Sequence, residues 1–420
     1  MAFERANDAM AAHERIVVTG TGVVTAIGET VPAFWTSLKQ GQCGLSRLEG
    51  TGLGDDAIHI GGQIKAFDPR SRLGGWSRDK TILYADRYSW LAAAAANEAI
   101  DQAGLVGLFP EPYRVACLVG SAAGGQTFAE KACRDRFAEN KRAVHPMFLP
   151  RIIGSSAAAH IGIEYGVKGP TLGICSAGTS AAHAIGLGRD YIRHGVVDIA
   201  IVGGADSALT LGALLAGNAL GVLSPDGCFP FSRERNGTVL AEGAGILVLE
   251  SARHAKARGA TILAELSGFA MTSNATDMVE PSADGLCEAM RRALNDAAIA
   301  PSEIGYINAH GAGTRRGDLC ETQAIKETFP QARRLPVSST KSMHGHTMGA
   351  SGAIEAIACV EALRSGWLPP TIGLAHADSQ CDLDYIPNEG RRCEVRHAMS
   401  TTHALGGFNT SMVFGLSSSL

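Results

Sequence analysis

Three observations predict an α/β fold made of two repeated halves. Short strands with almost no charge alternate with helices rich in alanine and glycine. Strands that apolar need helices on both faces, so we expect a parallel sheet covered on both sides. From about residue 268 the rhythm begins again: a strand, a reactive residue in a small-residue turn, then a helix. That recurrence predicts an internal duplication. The divisions are a loose tail over 1–14, a first half over 15–267 and a second over 268–420.

The chain has 420 residues, 45% hydrophobic and 19% charged. It can bury a large core as one big domain or two fused ones. A net charge of −4 offers no general basic field for nucleic acid. The ten cysteines include no CxxC pair and no zinc-type spacing, so reduced thiols and a cytoplasmic setting are expected. The first residues are charged throughout and lack the apolar stretch of a signal peptide. No uninterrupted apolar span reaches membrane length, so no membrane partner is expected.

In chain order, residues 15–24 read as a β-rich run punctuated by Gly20 and Gly22. Thr25 stands where a dinucleotide-binding loop needs its third glycine, which argues against nicotinamide binding. A short helix is expected at 35–39 and an irregular stretch over 42–80. Residues 85–103 form an amphipathic helix and 114–119 a buried strand, which leads into the loop GSAAGG. The helix over 126–143 carries Lys131, Arg134, Arg136, Lys141 and Arg142. Such a face is usually a solvated surface; the alternative is a dock for an acidic partner.

The central stretch is TLGICSAGTSAAHAIGLGRDYIR, residues 171–193. It reads as a buried strand ending at Cys175, with a helix starting just after it. A thiol there would feel unpaired N–H groups and the positive end of the helix dipole, which favour a thiolate. The ordinary alternative is a buried structural cysteine. Further strands are expected at 198–204, 240–250, 260–268, 304–308, 335–339 and 411–414, with helices at 283–298 and 350–363.

His310 closes one of these strands in NAHGAGTRRGD, and His344 and His346 lie in KSMHGH. Glycine directly beside His310 and His346 allows a substrate to approach closely. A zinc site would want a partner cysteine at a recognised spacing, and none is present; no metal is therefore expected. A protease-type Cys–His pair would want one histidine and an orienting Asn or Asp.

Cys175 in a small-residue elbow, NAHG with His310, TKSMHGH with Lys341 and His346, and a terminal GGFN together resemble the β-ketoacyl-acyl-carrier-protein synthases of the elongating types I and II. RIVVTGTGVVTAIG, YGVKGPTLGICSAGTSA, DIAIVGGAD, VLAEGAGILVLE and HAKARGATILAELSGFA extend the resemblance, in order, over about residues 15–418. It implies a thiolase fold, five layers α-β-α-β-α from two duplicated halves. It implies Cys175 as the acylated nucleophile, with His310 and His346 assisting decarboxylation of a malonyl thioester. Lys341 and Glu321 would hold the histidines, Asp318 would support the same loop, and the N–H groups of Cys175 and Leu405 would form the oxyanion hole. The partner implied is an acyl carrier protein bearing phosphopantetheine, with no resident cofactor. A homodimer is the usual assembly, and a heterodimer with a chain-length-factor-like subunit is the alternative.

The chain departs from that pattern at the C-terminal gate, where Leu405 replaces phenylalanine and Phe408 replaces threonine. Ala312 replaces a threonine that helps hold the pantetheine arm, while Thr314 remains. Ala123 stands where a bulky side chain often limits the acyl pocket, suggesting room for a long chain. The departures make a specialised polyketide or polyene role an alternative to housekeeping fatty-acid synthesis. A thiolase using coenzyme A would want a second cysteine over 400–415, and there is none. A scaffolding subunit would have no need to keep Cys175, both histidines and Lys341.

Overall fold

The computed structural model describes residues 14–50, 60–107, 109–139, 141 and 145–416. Apart from Glu14, the expected loose tail lies outside the described residues, as does Arg142. The first half contributes β1 (Ile16–Thr25), α1 (Arg87–Gln102), β2 (Val115–Gly120), α2 (Gln126–Phe137), α3 (Ser156–Tyr165), β3 (Thr171–Ile174), α4 (Ser180–Arg193), β4 (Ile199–Asp206), α5 (Leu211–Ala219) and β5 (Gly243–Ser251). The second contributes β6 (Ala264–Ser273), α6 (Ala283–Ala297), β7 (Ile304–Asn308), α7 (Arg315–Thr328), β8 (Val337–Ser338), α8 (Ser351–Ser365), β9 (His397–Ala404) and β10 (Phe408–Gly415).

The strands run β8-β7-β9-β10-β6-β1-β5-β4-β2-β3. Each half thus repeats one order, and β1 joins them by pairing Val17 and Val18 with Glu265 and Ala264. The sheet is mixed, where a parallel one was expected. β3, β2 and β4 run parallel, as do β8, β7 and β9, but β4–β5, β5–β1, β9–β10 and β10–β6 are antiparallel. The antiparallel strands are as apolar as the parallel ones because helices cover them on both faces too.

Helices make three of the five layers. α1 packs on β1, β5 and β4 outside the first half, and α6 packs on β6 and β10 outside the second. Between the halves, α4 and α8 pack on each other and on strands of both. Small residues make this central layer possible, because they let helix backbones approach closely. Gly22 in β1 has the same cause: a Cβ there would sit 1.9 Å from the Ala95 carbonyl oxygen of α1. The glycines of this early run serve helix packing.

Two expectations about the central stretch need correcting. β3 is the edge strand of the whole sheet, with Leu172 40% exposed, so it is not buried. The helix after it begins at Ser180, five residues past Cys175. Thr179 is the N-cap position and Ser180 the first helical residue, whereas Cys175 lies before the turn at Ala177.

Candidate active site

His310 stands just past β7 and His346 in the turn that leads to α8. The turn aims the two rings at each other, with centroids 5.2 Å apart and planes nearly perpendicular. The Met348 N–H donates to His346 Nδ1 at 3.1 Å, and Ser351 Oγ lies 3.0 Å from the same atom. The proton of the neutral ring is therefore on Nε2. Burial holds both rings well below the ordinary histidine pKa, and the Lys341 charge pushes the same way. Both are neutral N–H donors at physiological pH.

Carboxylates fix the frame around them. Glu321 accepts from the His310 N–H at 2.8 Å, the Gly311 N–H at 2.7 Å and Thr401 Oγ1 at 2.8 Å. Fully buried Lys341 donates to the His310 carbonyl at 2.7 Å and pairs with Glu355. Asp318 accepts from the N–H groups of Phe231 and Gly313, at 2.7 and 3.1 Å, and burial raises its pKa to about 7. Asp206 binds Ser121 Oγ and the N–H groups of Ala122, Ala123 and Gly349. It thereby ties the GSAAGG loop to the loop of His346.

A cavity of about 910 Å³ opens over the rings. Ala123, Thr314 and Leu405 line it, together with His310, His346 and Gly178. Phe408 does not line it; its ring packs on His183 with centroids 6.3 Å apart. The N–H groups of Gly178 and Leu405 have no acceptor among the described residues. His344 is buried against Phe34 and lies outside the cavity lining.

The cysteine does not join this group. Cys175 is exposed beyond the edge strand, its Sγ 3.8 Å from the Ala122 carbonyl, and it is absent from the cavity wall. The residue at the wall is Gly178. A Cβ built on it would lie 3.8 Å from His346 Nε2, 3.5 Å from His346 Cε1 and 3.4 Å from Ala404 Cβ. This placement does not support Cys175 as a nucleophile working with these histidines. The physical reason is the elbow after β3: Ala177 takes a positive φ of 50°, and the turn it makes brings Gly178 inward.

Three functional groups escaped the sequence reading. Glu355, the partner of Lys341, was detectable as a lone acid within the apolar helix SGAIEAIACV, because a buried charge needs a partner. Asp206 closes β4 and had no local signal. His403 lines the cavity with its ring centroid 4.3 Å from that of His310. Among the described residues, the buried nitrogens His310 Nδ1 and His403 Nε2 have no hydrogen-bond partner.

Comparison with known proteins places this arrangement. The beta-ketoacyl synthase N-terminal domain matches residues 13–255 and the C-terminal domain residues 263–375. Nodulation protein E of Rhizobium leguminosarum bv. trifolii is 40% identical over 407 residues, covering 95% of this chain and 98% of that protein. 3-Oxoacyl-[acyl-carrier-protein] synthase 2 of Coxiella burnetii is 37% identical over 408 residues, covering 95% and 98%. The solved ishigamide ketosynthase/chain length factor superposes with a TM-score of 0.89 at 33% identity, covering 96% of this chain and 100% of that one. With its duplicated five-layer thiolase fold and its paired histidines, the chain belongs to the beta-ketoacyl synthase family, a family of acyltransferase-class condensing enzymes.

Proposed function

We propose that the chain serves β-ketoacyl-acyl-carrier-protein synthesis, the decarboxylative Claisen condensation of an acyl group with a malonyl thioester, in fatty-acid or specialised polyketide or polyene assembly. The observation that carries this reading is the pair of buried, neutral imidazoles facing the cavity beside the free N–H of Gly178. Decarboxylation of a malonyl thioester puts negative charge on the thioester oxygen. Preorganised N–H donors in a dry cavity stabilise such charge, each worth about 100-fold or more in rate. Lys341 and Glu321 hold His310 through its backbone. Thr314 lines the same cavity, which supports its reading as a contact for the pantetheine arm.

The arm arrives with the substrate, so the reading calls for no resident cofactor. Its partners are an acyl carrier protein and a second ketosynthase-type chain. The unpaired edge of β3, with exposed Leu172, offers the second chain a strand to pair with. Homodimer and heterodimer both fit that edge. On α2, Lys131 pairs with Asp135 and Arg134 with Glu130, and Lys141, beyond the helix end, also pairs with Asp135. That compensation favours a solvated surface over a carrier dock. Among the described residues no helix is long and apolar enough to cross a membrane.

The test is incubation with malonyl-loaded carrier protein, followed by mass spectrometry of the carrier. Loss of the malonyl group by wild type, reduced about 100-fold in His346→Ala, supports the reading. A carrier that keeps its malonyl group in the presence of wild type overturns it.

A further inference from the structure

The centre of the cavity has donors but no nucleophile. Gly178 occupies the spot from which a side chain would reach His346, just ahead of the first turn of α4. Nothing local demands glycine there. Its φ lies outside the left-handed region, and a Cβ would make only ordinary contacts at 3.4–3.8 Å. Within the elbow, the residue with the demanding conformation is Ala177. A thiol at 178 would meet the N-terminal end of a fourteen-residue helix and an imidazole, the two features that activate a cysteine.

The cysteines present cannot replace it. Cys175 is exposed outside the cavity. Cys320, which does line it, keeps its thiol 3.6 Å from the Pro281 carbonyl, and burial raises its pKa. Cys228 is buried behind the wall with its thiol toward the Ala312 carbonyl. Meanwhile the donor side of the cavity is intact, and His310 Nδ1 and His403 Nε2 are buried with no partner among the described residues. Buried polar atoms without partners are costly and point to a ligand that satisfies them.

We infer that this chain is the non-acylating member of a condensing pair, and that its own cavity decarboxylates a malonyl-type thioester without ever holding the acyl chain. The inference rests on the carrier-thioester reading above. In the step, the bond between the malonyl α-carbon and its carboxylate breaks and CO₂ leaves. The electron pair forms an enolate whose oxygen accepts the imidazole N–H bonds. A proton from water then reaches the α-carbon, giving an acetyl thioester. Condensation needs the acyl group on a cysteine that another chain supplies.

The experiment uses the full chain with two probes, malonyl-carrier protein and a medium-chain acyl-carrier protein. Intact mass is read for wild type, Cys175→Ala and Gly178→Cys, with thermal melts confirming that each folds. The inference expects wild type to release CO₂ from malonyl-carrier protein and form no acyl adduct. Cys175→Ala should release CO₂ at the same rate. Gly178→Cys should gain one acyl adduct, mapped to residue 178. An acyl adduct on wild type that disappears in Cys175→Ala overturns the inference and leaves the carrier-thioester reading intact. Absence of CO₂ release from folded wild type overturns both.

Discussion

The missing side chain of Gly178 points at His346: its Cβ would stand 3.8 Å from the ring nitrogen that carries the proton. The position is open in space and ordinary in backbone, so a methyl group should fit. Gly178→Ala is expected to leave stability unchanged or raise it by up to about 1 kcal/mol, through the unfolded chain's lost freedom. Urea unfolding measures this. A loss of more than about 2 kcal/mol would mean the side chain has no room at the wall.

Lys341 and Glu355 form a buried ion pair with both side chains fully inaccessible. Burial alone would raise the Glu355 pKa, and even with the lysine beside it the value stands at about 7. Removing one partner strands the other charge. Lys341→Met should cost about 3–5 kcal/mol, and the double variant Lys341→Met/Glu355→Gln should recover part of that. Equal losses in single and double variants would show that the pair is not coupled.

Glu321 holds the His310 loop by charge-assisted bonds to two backbone N–H groups. Glu321→Gln keeps the shape but leaves one amide hydrogen facing a donor. Malonyl turnover should fall about 10- to 100-fold with little change in KM, because the histidine shifts while the thioester arm does not. A rise in KM alone would place Glu321 in substrate binding instead.

The histidines set the pH response. Both His310 and His346 titrate well below 6.5, chiefly because burial penalises the charged ring. As pH falls from 8 to about 6, free histidine begins to protonate, but these rings stay neutral and keep their donor N–H. The rings should therefore add no descending limb of their own to CO₂ release across that range; a limb near 7 belongs to the buried carboxylates Asp318 and Glu355. A limb near 6.5 that persists in Asp318→Asn/Glu355→Gln would mean the rings are hydrated and ordinary.

Leu172 is exposed on the edge strand that ends the sheet. Leu172→Lys adds the kind of charge that blocks strand pairing. If that edge carries the second chain, the variant should elute at monomer size where wild type elutes as a dimer. Identical elution would move the interface elsewhere.

Much of this was readable from local pattern. The apolar runs at β2, β4 and β7, the alanine-rich α1 and α8, and the glycines beside His310 and His346 lie close to where periodicity and turn chemistry put them. His310, His346 and Lys341 are legible because each sits at the end of a strand or in the turn that follows one. Residues far apart in sequence were not. Glu355 stands out as a lone acid in an apolar helix but nothing local names Lys341 as its partner, Asp206 carries no local mark of the loops it holds, and His403 meets His310 only because β9 pairs with β7.

The sequence by itself determined the family, the duplicated α/β architecture and the histidine pair, because these follow from short-range hydrophobic period and from motifs a few residues long. Only the tertiary structure decided which residue between 175 and 180 faces the histidines. Cysteine is the more reactive side chain, but a side chain acts where the backbone aims it. Here the edge strand and the strained turn at Ala177 leave Cys175 outside and bring Gly178 to the centre.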